Sequence, residues 1–199
     1  MNYLAHLYLA QPTVASTVGN LLGDFAKGVD LQALPEAVRA GLQNHRAIDR
    51  YTDNHPIVLE LKRSFSPQRR RFAGIALDVY FDHLLTNHWS AFDSRPIDAV
   101  IQAFYARMLE GQALMPGEHM RTTTQRMVEY DWFGSYHDID SIADALDRIA
   151  SRIRFENQFA NAIEDLERNH DLINQGFMAY FPLLIEHVHA LAIESSEVD

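Results

Sequence analysis

Apolar residues recur at helical spacing along almost the whole chain, and prolines mark most of the interruptions. Val38, Leu42, Ile48 and Tyr51 share one face of a segment over residues 35–53, a period near 3.6 that predicts an amphipathic helix. Ile97, Val100, Ile101, Phe104 and Met108 do the same over 96–111. Pro35 and Pro96 stand at the starts of these segments, where a missing N–H is harmless. Asn54-His55-Pro56 ends the first one, because the residue before proline avoids the helical region. The same reading places helices at about 2–10, 14–28, 56–65, 67–92, 119–133 and 138–152. One or two more cover 155–190, interrupted near Gly176 and Pro182. No convincing alternating strand occurs. The prediction is an all-α fold: a single-domain bundle of about eight helices over residues 1–199.

Two clusters of acids and histidines break the apolar pattern. His45, Asp49 and Asp53 step by four, as do Asp78 and Asp82, and His83 follows directly. Residues four apart lie on one helix face. Asp78 and Asp82 sit within Ile75-Ala76-Leu77-Asp78-Val79-Tyr80-Phe81-Asp82-His83-Leu84-Leu85, which is apolar on nearly all sides. A helix of that kind is buried, and buried carboxylates are costly unless paired or metal-bound. Asp24, after Gly19-Asn20-Leu21-Leu22-Gly23, is a third acid in apolar company, and His6 lies on the apolar first segment. The glycines at 19 and 23 either weaken their helix or let another backbone approach closely. Grouped carboxylates repel unless a cation or proton sits between them. With imidazoles they suit a hard or borderline divalent metal.

Composition narrows the classes. There is no cysteine, which removes disulfides, thiolate nucleophiles and Cys-ligated zinc. The net charge of −10 disfavours binding to nucleic acid through phosphate neutralisation. No membrane span and no signal peptide are expected, so a cytoplasmic location fits best. Oligomeric state is not legible. The charge is uneven, however. Between Glu60 and Asp78 there is no acid, and Lys62, Arg63, Arg69, Arg70 and Arg71 lie in that gap, five of the seventeen basic residues. They form either a solvated face or a docking patch for an acidic macromolecule.

Four motifs then carry a resemblance. Asn2-Tyr3-Leu4-Ala5-His6-Leu7, Gly19 to Phe25, His45-Arg46-Ala47-Ile48-Asp49 with Tyr51-Thr52-Asp53, and Leu77 to His83 with Trp89 resemble, in order, the acyl carrier protein phosphodiesterases. The match covers roughly residues 1–92. The family is related to the His-Asp metal phosphohydrolases, so a distorted version of that helical fold is implied. The adjacent pair here is Asp82-His83 rather than His-Asp. The resemblance implies hydrolysis of the phosphodiester joining 4′-phosphopantetheine to a serine of holo-acyl carrier protein. It implies manganese(II), with magnesium as a substitute, and a strongly acidic protein substrate that the basic gap would dock. The expected metal ligands are Asp24, His45, Asp49, Asp78 and Asp82. Arg46 is the candidate for the nonbridging phosphoryl oxygens, and His6 or His83 for protonating the leaving oxygen. The alternatives are a phosphohydrolase acting on nucleotides or small phosphate esters, and a helical binding protein without enzymatic activity.

Overall fold

The computed structural model describes residues 1–155 and 157–194. Among these residues there is no strand. Eleven α-helices occur: α1 (Tyr3–Tyr8), α2 (Val14–Leu22), α3 (Glu36–Asn54), α4 (Pro56–Arg63), α5 (Ala73–Asn87), α6 (Ile97–Glu110), α7 (Glu118–Glu129), α8 (Trp132–Ser135), α9 (Ile139–Arg152), α10 (Ile163–Arg168) and α11 (His170–Leu191). Eight of them have eight residues or more, as the periodicity predicts.

The departures have local causes. Helix α2 stops at Leu22 and tightens into a 3₁₀ turn, Gly23–Phe25, instead of running to residue 28. The long helix expected over 67–92 begins at Ala73, after a 3₁₀ turn at Arg70–Phe72, and ends at Asn87. Residues 119–133 divide into two helices at Asp131, whose φ of 45° lies in the left-handed region. Its carboxylate accepts hydrogen bonds from the Gly134 amide and the Tyr105 hydroxyl, which offsets the cost of that backbone.

The predicted breaks at Gly176 and Pro182 do not occur. Helix α11 runs through both. Gly176 is a packing device: a Cβ there would lie 2.9 Å from Leu61 Cδ1 of α4. Pro182 is exposed on the helix surface, where water can satisfy the Met178 carbonyl that the missing N–H leaves free.

The buried apolar residues form one contiguous cluster. At its centre α5 meets α11. Phe81 packs on Phe177 with ring centroids 5.4 Å apart, and Phe177 on Phe181 at 5.0 Å. Tyr180, fully buried, shares a 2.6 Å hydrogen bond with Thr52 of α3. Helix α5 is apolar nearly all round because it is enclosed, with ten of its fifteen residues buried.

Helices α2 and α3 touch backbone to backbone. A Cβ on Gly19 would lie 2.3 Å from the Val38 carbonyl oxygen and 2.7 Å from Gly41 Cα. This contact brings α2 and the following turn against the face of α3 that carries His45. Gly19→Ala should therefore force the helices apart, costing about 1–3 kcal/mol or more. Thermal unfolding followed by circular dichroism should then show a drop in Tm of roughly 2–4 °C per kcal/mol. An unchanged Tm would mean that the helices separate freely.

Candidate metal centre

Three side chains converge near the start of the chain. His6 comes from α1, and His45 and Asp49 come one turn apart from α3. One donor atom of each lies within 4.8 Å of the other two. His6 Nε2 is 3.1 Å from Asp49 Oδ1, and His45 Nε2 is 3.1 Å from Asp49 Oδ2. The two imidazoles stack with centroids 3.8 Å apart. Both histidines are buried, while the Asp49 side chain keeps 40 % of its surface exposed. The cluster therefore opens to solvent on the Asp49 side.

The neighbours orient the His45 ring. Its Nδ1 lies 2.7 Å from the backbone carbonyl of Asn20. A carbonyl only accepts, so Nδ1 carries the hydrogen. In the neutral ring Nε2 is then a lone pair aimed at a carboxylate oxygen, two acceptors facing each other. That contact is satisfied by a second ring proton, which makes Nε2 a donor to Asp49, or by a cation between the two. Gly23 lies directly against the ring: a Cβ there would be 2.0 Å from His45 Nε2. Asn20 is itself held, its Oδ1 accepting from Asn44 Nδ2 at 3.1 Å and its Nδ2 donating to the Ser16 carbonyl.

Burial pushes the His6 imidazole down to about 3, with His45 and the nearby terminal ammonium acting in the same direction against Asp49. His6 Nε2 also lies 3.1 Å from the Met1 carbonyl, and its Nδ1 is buried without a hydrogen-bond partner. Burial alone would raise the Asp49 carboxyl, but hydrogen bonds to His45 and His6 and the terminal ammonium hold it well below the usual range. Asp49 is thus ionised, as a metal ligand must be.

Two further acids border the cluster. Asp78 Oδ1 lies 2.9 Å from the buried ammonium of Met1, and Asp49 Oδ1 lies 3.4 Å from it. Burial works against that ammonium, yet Asp78 and then Asp49 raise its pKa to about 10. The carboxylates of α3 and α5 therefore converge on one positive charge. Asp24, in the 3₁₀ turn, has an exposed surface but a crowded carboxyl. Desolvation raises its pKa, and the charges of Asp49 and Asp78 add to this while His45 and the Met1 ammonium oppose it. Two imidazoles and one carboxylate, with Asp24 and Asp78 bordering them, could hold a divalent cation.

The remaining expected residues lie elsewhere. Asp82 is fully buried, and both its oxygens are engaged by α1: Oδ2 accepts from the Leu4 amide at 2.9 Å and Oδ1 from the Ala5 amide at 3.0 Å. It anchors the first turn of the helix that carries His6. Burial pushes its carboxyl up to about 7 against those two hydrogen bonds. His83 points away from the cluster, with Nδ1 donating to the Tyr136 carbonyl at 2.8 Å and Nε2 accepting from Asn87 at 3.0 Å. Both ring nitrogens are satisfied, as in an ordinary core histidine. Asp53 is exposed and paired with Lys62 at 2.8 Å. Arg46 is exposed and follows His45 directly.

The basic gap is less positive than its sequence. Lys62 pairs with Asp53, Arg63 with Glu60 at 2.8 Å, and Arg69 with Glu164 at 3.0 Å. Arg70 donates to the Phe65 carbonyl, and Arg71 lies over the rings of Phe72 and Phe155. These acids come from distant or flanking positions, which a view of the gap alone does not reveal. Sequence reasoning also missed Asn20 and Gly23 as supports of His45. The glycine beside an apolar-acid pair was the available signal, since close approach is one of its two uses.

An all-helical chain brings a His-His-Asp cluster that could hold a metal ion to the meeting of α1 and α3. Comparison with known proteins narrows this: the chain belongs to the acyl carrier protein phosphodiesterase family, whose model matches residues 1–184. The family is one of hydrolases acting on a phosphodiester. The acyl carrier protein phosphodiesterase of Escherichia coli O6:H1 is 34 % identical over 197 residues, covering 97 % of this chain and all of the relative. The proteins of the same name from strains O45:K1 and K12 match with the same identity and coverage. No solved structure matches.

Proposed function

We propose that this protein hydrolyses the phosphodiester between 4′-phosphopantetheine and a serine of holo-acyl carrier protein, releasing the apo-protein and 4′-phosphopantetheine, in a reaction that depends on manganese(II) or magnesium. The observation that carries the metal is the His45 ring. Its Nδ1 is committed to the Asn20 carbonyl at 2.7 Å and its Nε2 faces Asp49 at 3.1 Å, so a deprotonated Nε2 offers a lone pair where a cation would sit. His6, His45 and Asp49 would hold the ion, with Asp24 and Asp78 on its open side. When bound, the ion supplies Lewis acidity and lowers the pKa of a water. The residues do the rest. Asp49 balances the charge, and the stacked imidazoles of His6 and His45 keep one another in register. Asn20 fixes the tautomer. Arg46, one residue beyond His45, meets the nonbridging phosphoryl oxygens by charge-assisted hydrogen bonds. Asp82 acts through α1, fixing the helix on which His6 sits. The substrate comes from family membership, and an all-helical fold with an open, acid-rimmed cluster is compatible with a large protein substrate.

Incubation of holo-carrier protein with the enzyme and manganese should yield a carrier protein lighter by the whole prosthetic group, read by mass spectrometry. An unchanged mass alongside rapid cleavage of a small phosphodiester would point to small phosphate esters instead. EDTA should abolish the activity, and added manganese should restore it. Circular dichroism should be unaffected throughout, because the helices pack on a large apolar core and do not fold around the metal. Loss of helicity on chelation would make the metal structural.

A further inference from the structure

We infer that an acidic amphipathic helix of the carrier protein docks along the outer edge of α3, on a stripe made by Arg39, Arg46 and Arg50. This rests on the function proposed above and locates the surface that such a substrate requires. At about 100° per residue and 1.5 Å rise, the three arginines fall within roughly 40° of one another and span about 17 Å. Gln43 shares that surface, and by the same geometry Asp53 and Glu36 lie at its margins, about 40° and 60° from Arg39. Of the acids of α3, Glu36 stands in the first turn, Asp49 belongs to the histidine cluster, and Asp53 is matched by Lys62.

Arg46 and Arg50 are exposed, and Arg39 is half-buried and donates to the Gln32 carbonyl at 3.4 Å. Among the described residues no carboxylate pairs with any of the three. In the basic gap, by contrast, Lys62, Arg63 and Arg69 are already matched to acids, and Arg70 and Arg71 are held against the Phe65 carbonyl and the Phe72 and Phe155 rings. On a chain of net charge −10, an acidic partner is drawn to arginines whose charge is not already matched.

The stripe also has the right neighbours. Arg46 follows His45 and Arg50 follows Asp49 in the chain, so a partner on the stripe lies beside the open edge of the cluster. On its other flank Arg50 rims a hollow of about 530 Å³, to which Tyr51, Pro56 and Leu191 contribute apolar surface and His55 and His187 polar edges. A helix with carboxylates on one side and apolar residues on the next matches a basic stripe bordering an apolar hollow.

Direct binding tests this without turnover. Apo-carrier protein, which has no group to lose, is titrated into the enzyme by calorimetry at low and at physiological salt. Wild-type affinity should weaken as salt rises. Arg39→Glu/Arg50→Glu should bind about ten- to a hundredfold more weakly, with a flatter salt dependence, because rim charges reversed against a complementary surface repel it. Its manganese-dependent hydrolysis of bis(p-nitrophenyl) phosphate should match the wild type. Charge reversal of Lys62 and Arg63, which are paired with Asp53 and Glu60, should change affinity by less than about threefold. If the glutamate variant melts early, Arg39→Gln/Arg50→Gln is measured instead, with a smaller loss in the same direction. Undiminished affinity in a folded double variant, or a larger loss in the Lys62/Arg63 variant, overturns the docking surface. A wild type that binds apo-carrier protein on this stripe but leaves holo-carrier protein intact overturns the proposed reaction and not the surface.

Discussion

Asp49→Asn is expected to fold normally, lose tight metal binding, and lose at least about a hundredfold in metal-dependent turnover, since even outer-shell changes at metal sites cost about 10–100-fold. Asp49 is the carboxylate shared by both imidazoles, each at 3.1 Å. The amide carries no charge, so it cannot balance an ion, and its NH2 offers a metal no lone pair. The substitution is nearly isosteric, and the side chain is 40 % exposed, so the core should not register it. Metal content by mass spectrometry, manganese-dependent activity and a thermal melt decide the matter together. Retained metal and full activity would remove Asp49 from the centre. A large fall in Tm would recast it as a structural ion-pair partner of His6 and His45.

Gly23→Ala should be nearly as damaging to activity, although glycine 23 carries no functional group. The added Cβ would lie 2.0 Å from His45 Nε2 and 2.1 Å from Cδ2. The ring cannot yield without giving up the Asn20 carbonyl or its stack on His6. The φ of −49° at Gly23 suits alanine, so backbone strain is not the cause. Expected results are a loss of about 10–100-fold in turnover and metal affinity, comparable to losing a second-shell support, with only about 1–3 kcal/mol lost in stability from overpacking. Activity and metal affinity at wild-type level would show that His45 can swing aside without consequence, and its placement in the centre would fall.

Much of the fold was legible because helix-forming patterns are local. The face of α3 follows from the spacing of Val38, Leu42 and Ile48, and its ends from Pro35 and Pro56. Pro182 misled because the effect of a proline inside a helix depends on what can satisfy the orphaned carbonyl, and its exposed position on α11 is a tertiary fact. Gly176 misled for a related reason: the gap it leaves is filled by Leu61, from a helix more than a hundred positions away in the chain.

The site divides in the same way. Spacing alone put His45 and Asp49 on one helix face and marked Asp78 and Asp82 as acids in an apolar helix. It could not tell a metal-facing carboxylate from a cap, because a helix enclosed on all sides has no privileged face. Packing assigned Asp78 to the positive charge beside Asp49 and Asp82 to the amides of Leu4 and Ala5. It left His83 satisfied by Tyr136 and Asn87. It also brought His6 from α1 into contact with Asp49 and set Gly23 against His45. Sequence by itself determined which residues can form helices and which side chains could hold charge. Tertiary structure decided which of those charges meet, because hydrogen bonds and ion pairs act over a few ångströms and the partners here lie tens of residues apart in the chain.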